Sequence, residues 1–533
     1  MHIHTRRLVG LCLLIVFTTA GRATANGPDL RLVDAMAERN TALVRVLLDE
    51  SVDVNGARGD GATALLWAAH WDDGEAAELL LHAGANVNAA DDHGVTPLAR
   101  ACENASASMV RRLLEAGANP NIAQMNGLTP LMTAARTGSL DVVNDLLSHD
   151  ADVNAATATT HEAALMWAVA ERRVDVVRVL VDGGADVHPN PQQLFSPLIA
   201  AARTGDTDTA KMLLAAGADV NGTGSDGSPP LPYAIVAGQS AFAHFLLEQG
   251  ADPNGAIDGV TALHAAAGPV DPWLRAWYRQ YSRPVGFYDR QGGRLTLEER
   301  LSLVNALLAH GADSNPRMTA SEMPKLGFVR NGAYDNFAVG TGDLAGATPL
   351  WVAAWATNLG AGSASFVKRS IASRSSAKVL RSLLAAGARP DLTPVDGSTA
   401  LMAAAGCGRD AHVTNVQRGP HFPEAEEAVK VLIDAGIDVN AKNEGDFMAL
   451  HCAAFGGVNE LVRYLVEHGA DIDARDWRGR TPFRIAEGTK QTYHYQEWPG
   501  TAVLLQELGA DTSLGIPGTV HERLRGLAAA QDQ

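Results

Sequence analysis

A few residues in this chain have the types that could do chemistry. Cys407, His412 and His421 lie close together, and His494 offers a further imidazole. Thiolate and imidazole are the ligands that zinc prefers. Their spacing matches no standard site, and the chain contains no CxxC, HExxH or CxxCH. Gly222-Thr223-Gly224-Ser225-Asp226-Gly227 spells GxGxxG, but a phosphate cradle needs a strand before it and a helix directly behind it, and here Pro229-Pro230 follow. Gly340-Thr341-Gly342 fails the same test. There is no GxSxG elbow for a nucleophilic serine, and the many carboxylates gather in no pocket that can be inferred. These residues point to no catalytic centre, no metal and no cofactor.

Recognition chemistry is better represented. Trp273, Trp277, Tyr278, Tyr281, Phe287 and Tyr288 crowd one short stretch, with Arg275, Arg279, Arg283 and Arg290 between them, in a chain that is only 5% aromatic. Tyr493, His494, Tyr495 and Trp498 form a second group. Exposed Trp, Tyr and Arg dominate binding hot spots. The alternative is that the rings form a small core of their own against the rest of the molecule.

The elements that position these residues repeat. Variants of Gly-Ala-Asp-Val-Asn start at Ser51, Gly84, Gly117, Asp150, Gly184, Gly217 and Gly250, in steps of 33 residues with a single 34. A second marker follows each copy, as Thr96-Pro97-Leu98, Thr129-Pro130-Leu131, Ser196-Pro197-Leu198 and Thr348-Pro349-Leu350. Such a period means a stack of small units. Within one unit, Pro130 suits a first helical turn. Leu131, Ala134 and Ala135 recur at helical spacing up to Gly138, and Leu140, Val142, Val143, Leu146 and Leu147 mark a second helix. Helices this short are marginal alone, so each pair depends on its neighbours.

Gly259-Val260-Thr261-Ala262-Leu263-His264-Ala265-Ala266-Ala267, and its return at Ala449-Leu450-His451-Cys452-Ala453-Ala454, resemble the ankyrin repeat. The resemblance runs from about residue 28 to residue 515 and looks like that of secreted bacterial members. It implies an all-α solenoid of about twelve helix-turn-helix repeats, with a structural His at 264 and 451. It also implies that a protein partner binds loop tips and the positions just after Ala-Ala in each first helix. Those positions are His70, Trp71, Glu103, Asn104, Arg136, Thr137, Arg203, Trp355 and Phe455, with Trp477 and Arg478 on the last loop tip. Trp71, Trp355 and Trp477 are the sharpest candidates, because an exposed Trp does little for a fold. Trp67 and Trp167 occupy the slot between helices and read as core. Asp219, Asn221 and their equivalents read as turn residues that bond their own backbone.

The regular period breaks after Gly250. The expected organisation is a signal peptide at 1–25, an N-terminal capping repeat at 26–60 and regular repeats at 61–258. Repeats with long insertions at 268–298, 317–345, 357–374 and 406–423 follow over 259–445. C-terminal repeats with an insertion at 487–500 fill 446–515, and a tail occupies 516–533. The first three insertions between first and second helices, at 268–298, 357–374 and 406–423, should line up as a lateral lobe, and the one at 317–345 should leave from the loop-bearing edge.

Arg6 and Arg7, the apolar run from Leu8 to Ala20 and Ala23-Thr24-Ala25 form the signal pattern. Its removal takes three arginines and no acid, which moves the net charge from −17 to −20. Such a chain repels nucleic acid and anionic lipid. Cys102 and Cys452 sit in slots for small residues and read as core filler. An odd, scattered cysteine count argues against a disulfide framework, and against the conceivable Cys407–Cys452 bridge as well. The reading is a secreted or periplasmic, non-catalytic scaffold for another protein. The alternatives are a small-molecule or glycan site, or an enzyme site, in the aromatic insertion.

Overall fold

The computed structural model describes residues 29–188, 195–271, 273–281, 295–320, 342–357, 376–407, 423–491 and 494–515. The expected signal peptide and tail lie outside them. The chain divides into two compact units, Met1–Met125 and Asn126–Gln533. The described residues form twelve antiparallel helix pairs, one extra helix at Arg275–Tyr281, and two short hairpins. This is the all-α repeat architecture that the resemblance implies.

Most first helices start for the same local reason, with the helices at Arg31–Ala37, Ala164–Ala170, Pro230–Val236 and Ala449–Gly456 lacking the hydroxyl cap. The Thr129 hydroxyl accepts the Met132 N–H at 3.3 Å and Pro130 occupies the first turn. Thr96, Ser196, Thr348 and Thr481 cap their helices in the same way. The hydroxyl satisfies a backbone donor that the helix leaves orphaned, and proline has no such donor to lose. Most second helices end at the glycine of Gly-Ala-Asp or Gly-Ala-Asn, held at φ 88° in Gly84 and Gly117, where an L side chain would be strained. The core lies between the helices of a pair and between neighbouring pairs. Ala68, Ala69, Ala134 and Ala135 are wholly buried, and their small size brings the helices together over Leu80, Val142, Val143 and Leu146.

The repeats are also clamped by their asparagines. The Asn88 amide donates to the Gly117 carbonyl at 3.3 Å and its oxygen accepts the Asn119 N–H at 2.7 Å. In the second unit Asn154, Asn221 and Asn440 make the same pair of bonds to the next Gly-Ala-Asp turn. The expectation for this turn is half right. The Asp219 carboxylate does bond the backbone two residues on, whereas Asn221 reaches across to the following repeat. Each clamp adds two bonds, worth about 1 kcal/mol each.

The same clamps explain how insertions are tolerated. Asn315 bonds Gly387 and Arg389, more than seventy residues away, as if nothing intervened. The ends of the insertions are also tied together. Met318 and Gly346 exchange backbone bonds with Ala347 and Met318 at the base of the 317–345 insertion. The Ser376 hydroxyl bonds the Ala353 carbonyl at 2.7 Å and meets the Thr357 hydroxyl at the base of the 357–374 insertion. Loop closure costs little more for long loops than for short ones, so closed insertions leave the stack in register.

Candidate protein-interaction surfaces

Of the residues singled out for chemistry, Cys407 is occupied elsewhere. Cys407 forms a disulfide with Cys452, with Cα atoms 5.2 Å apart, which corrects the reading of Cys452 as filler. The two half-cystines lie in adjacent repeats and are 0% and 3% exposed. A sulfur in a disulfide is no thiolate ligand, and His412 and His421 lie outside the described residues. Among the described residues no group of three or more His, Cys, Asp or Glu is arranged to hold a metal. The glycine-rich loop at 222–227 is a repeat tip, where the Gly224 N–H bonds the Ser228 carbonyl.

His264 and His451 are braces. The His264 Nδ1 faces the Thr261 N–H and its Nε2 bonds the Ala347 carbonyl at 3.0 Å in the next repeat. His451 does the same between Met448 and Ala474. Burial lowers both imidazoles to a pKa of about 4. Two further residues share this slot. Trp351 Nε1 donates to the Ser398 carbonyl at 3.1 Å, and Arg484 donates to the Leu514 and Thr512 carbonyls at 3.1 and 2.7 Å. Sequence reading missed them because they do not resemble His. The available signal was position, since each stands three residues after its capping Thr.

In the first unit the first-helix face carries a ring cluster. Trp67 and Trp71 stack with centroids 6.0 Å apart, and His70 meets both edge-on at 5.4 and 4.5 Å. The Arg39 guanidinium lies 5.1 Å from the Trp71 ring and that of Arg58 lies 5.5 Å from Trp67. All three rings are partly exposed, so Trp67 belongs to this surface and not to the core. Asp34 holds Arg58 at 2.6 Å. Glu103 pairs with Arg100 at 2.6 Å. Asn104 is exposed, but its amide caps the preceding helix through the Ala69 and His70 carbonyls at 3.0 and 2.9 Å.

The second unit differs. Arg136 is exposed, 5.9 Å from the half-exposed ring of Trp167, which was expected in the core. Arg203 is exposed and lies over Phe195 at 4.4 Å. Trp355, expected on the surface, is 4% exposed. Its ring stacks on Trp351 at 6.3 Å and meets Trp273 edge-on at 5.1 Å. Trp273 and Trp277, expected in a lateral lobe, are 0% and 7% exposed, so the described part of that insertion lies over first helices. Trp277 reaches back to the preceding repeat. Its Nε1 donates to Asp226 Oδ2 at 2.7 Å, an oxygen that also accepts from the Tyr233 and Ser228 hydroxyls at 2.7 and 2.9 Å. Burial, reinforced by Asp226, raises the Tyr233 hydroxyl well above its usual pKa. Tyr278 is half-buried, 5.4 Å from Trp277. The side chain of Tyr281, and Tyr288 and Tyr493, lie outside the described residues.

At the end of the stack Trp477 is 49% exposed, with the Arg478 guanidinium 4.8 Å from its ring. Its loop is stiffened from within. Arg480 and Asp476 form an ion pair at 2.7 Å with side chains 2% and 0% exposed. Phe455 is half-buried, and its carbonyl accepts Trp498 Nε1 at 2.8 Å. Trp498 lies against Gly457, where a Cβ would stand 2.4 Å from the indole.

The ankyrin repeat models match this chain. "Ankyrin repeats (3 copies)" matches residues 32–124, 98–191, 165–257 and 422–493, and "Ankyrin repeat" matches 396–444. Serine/threonine-protein kinase 12 of Arabidopsis thaliana is 44% identical over 60 residues, which is 11% of this chain and 13% of that protein. Protein phosphatase 1 regulatory subunit 12A of Mus musculus is 39% identical over 61 residues, 11% of this chain and 6% of that protein. Protein fem-1 homolog A of Bos taurus is 33% identical over 94 residues, 16% of this chain and 14% of that protein. The matches therefore span only a small part of these relatives. The solved human ASB11 ankyrin repeat domain is 29% identical, with a TM-score of 0.36, covering 41% of this chain and 96% of that one. The matched repeats account for more than half of the residues, and the chain belongs to the ankyrin repeat family.

Proposed function

We propose that this protein is a non-catalytic scaffold that binds another protein outside the cytoplasm. The ring cluster of Trp67, His70 and Trp71, flanked by Arg39 and Arg58, carries this reading. It combines the side chains that dominate hot spots with a rigid backing, because the helix beneath is capped by Asn104 and its repeat is tied to its neighbours by Asn55 and Asn88 at the Gly84 and Gly117 turns. Pre-ordered rings lose little freedom when a partner covers them. The exposed Trp477, with the half-buried Arg478 beside its ring, offers a second contact of the same type.

The Cys407–Cys452 bridge supports a location outside the cytoplasm, since such bonds persist in oxidising compartments. The expected signal pattern at 1–25 agrees with it. The burial of Trp273 and Trp277 weighs against a glycan or catalytic site built on those two rings.

The test is capture from the native envelope or culture fluid with wild type and a Trp67→Ala, Trp71→Ala variant of unchanged melting temperature. Wild type should retain a protein that the variant loses. Equal capture by both removes this surface.

A further inference from the structure

Val270, Trp273, Leu274 and Trp277 are spaced i, i+3, i+4 and i+7, and all four are buried. The Trp273 and Leu274 N–H groups bond the Val270 carbonyl at 3.0 and 3.3 Å, which starts a helical turn that runs into Arg275–Tyr281. This is the anchor pattern by which an amphipathic helix lies in a groove of another protein. Here the groove belongs to the same chain. Its walls include the first helices Pro230–Val236 and Pro349–Ala356, which carry Tyr233 and the Trp351–Trp355 pair. Trp273 meets Trp351 and Trp355 at one end, and Trp277 meets Tyr233 at 5.5 Å and donates to Asp226 at the other.

Two observations bear on how this segment is seated. The Trp273 indole N–H is buried and has no acceptor among the described residues, as is also true of Trp67, Trp71 and Trp167. Buried polar groups are normally paired, so its seat is an imperfect fit. The repeat beneath is also closed without the segment. Arg300, from the repeat's own second helix, bonds the Ala265 and Ala266 carbonyls at 3.0 and 3.2 Å.

We propose that the face around Asp226, Tyr233 and Trp355 is a recognition groove for an amphipathic helix with two indoles four residues apart. The chain's own Val270, Trp273, Leu274 and Trp277 occupy it until a partner helix of that pattern displaces them. Asp226 selects the pattern, because its carboxylate sits where the second indole N–H arrives. The proposal rests on the protein-binding reading, and its test needs no natural partner.

A fluorescein-labelled peptide of residues 269–281 is titrated by anisotropy against the full chain. The same titration is run on a Trp273→Ala, Trp277→Ala variant and a Trp277→Phe variant. The double variant should bind at least tenfold tighter than wild type. Trp277→Phe, which removes the N–H given to Asp226 and part of the ring but keeps an aromatic anchor, should fall between them. Adding Asp226→Ala to the double variant should weaken the peptide about tenfold, and a peptide with the anchors out of register should not bind. Failure of the peptide to bind a folded double variant overturns the proposal. So does loss of cooperative melting in both variants, because the segment is then part of the fold. If the peptide fails while capture through Trp67 and Trp71 persists, the groove is wrong and protein binding stands. If capture is lost and the peptide binds, the reverse holds.

Discussion

Acidification should loosen this stack through His264 and His451 before it protonates most carboxylates. Burial holds both imidazoles neutral, with pKa values lowered from 6.5 to about 4. The unfolded chain takes up those protons first, so between these values it binds more protons than the native state. Stability therefore rises with pH across that window and is lost as pH falls through 6.5, until at about 4 both states are protonated. Integrating the two titrations from pH 7 to pH 5 removes about 2 kcal/mol per histidine. The same protonation puts a donor on Nδ1, where the backbone N–H of Thr261 or Met448 already points. The assay is urea unfolding followed by fluorescence at pH 7 and pH 5, for wild type and a His451→Gln variant. Wild type should lose about 2 kcal/mol more than the variant over this interval. Equal losses would show that His451 is not held neutral and would refute the argument.

Asp476→Ala strips the counter-charge from Arg480 and removes the acceptor of its backbone N–H, at a cost of about 3–5 kcal/mol, read as a lower melting temperature. Adding Arg480→Met should restore much of it, because the uncompensated buried charge dominates the loss. Reduction of Cys407–Cys452, 45 residues apart, should destabilise the C-terminal repeats by about 4 kcal/mol, seen as faster proteolysis in dithiothreitol. Asn315→Ala should cost about 2 kcal/mol through two lost bonds, with hydrogen exchange increased at the Gly387 turn.

The helix pairs, their caps and their order were legible without coordinates, because each depends on residues within one repeat. Thr129 caps, Pro130 starts and Gly138 ends a helix whatever lies beyond them, and periodicity repeats that message down the chain. The bracing by His264 and His451 was legible through the same phrase. Exposure was not legible. Trp67 and Trp167 are partly open and Trp355 is closed, because a ring on a first helix is buried only if something covers it. What covers Trp355 is Trp273, from an insertion with no period and hence no readable register. The Cys407–Cys452 bridge and the Trp277–Asp226 bond likewise join residues whose approach is set by the stacking of neighbouring repeats. Local hydrogen bonding and hydrophobic spacing thus determined the units. Only packing between units decided which side chains remain available to a partner.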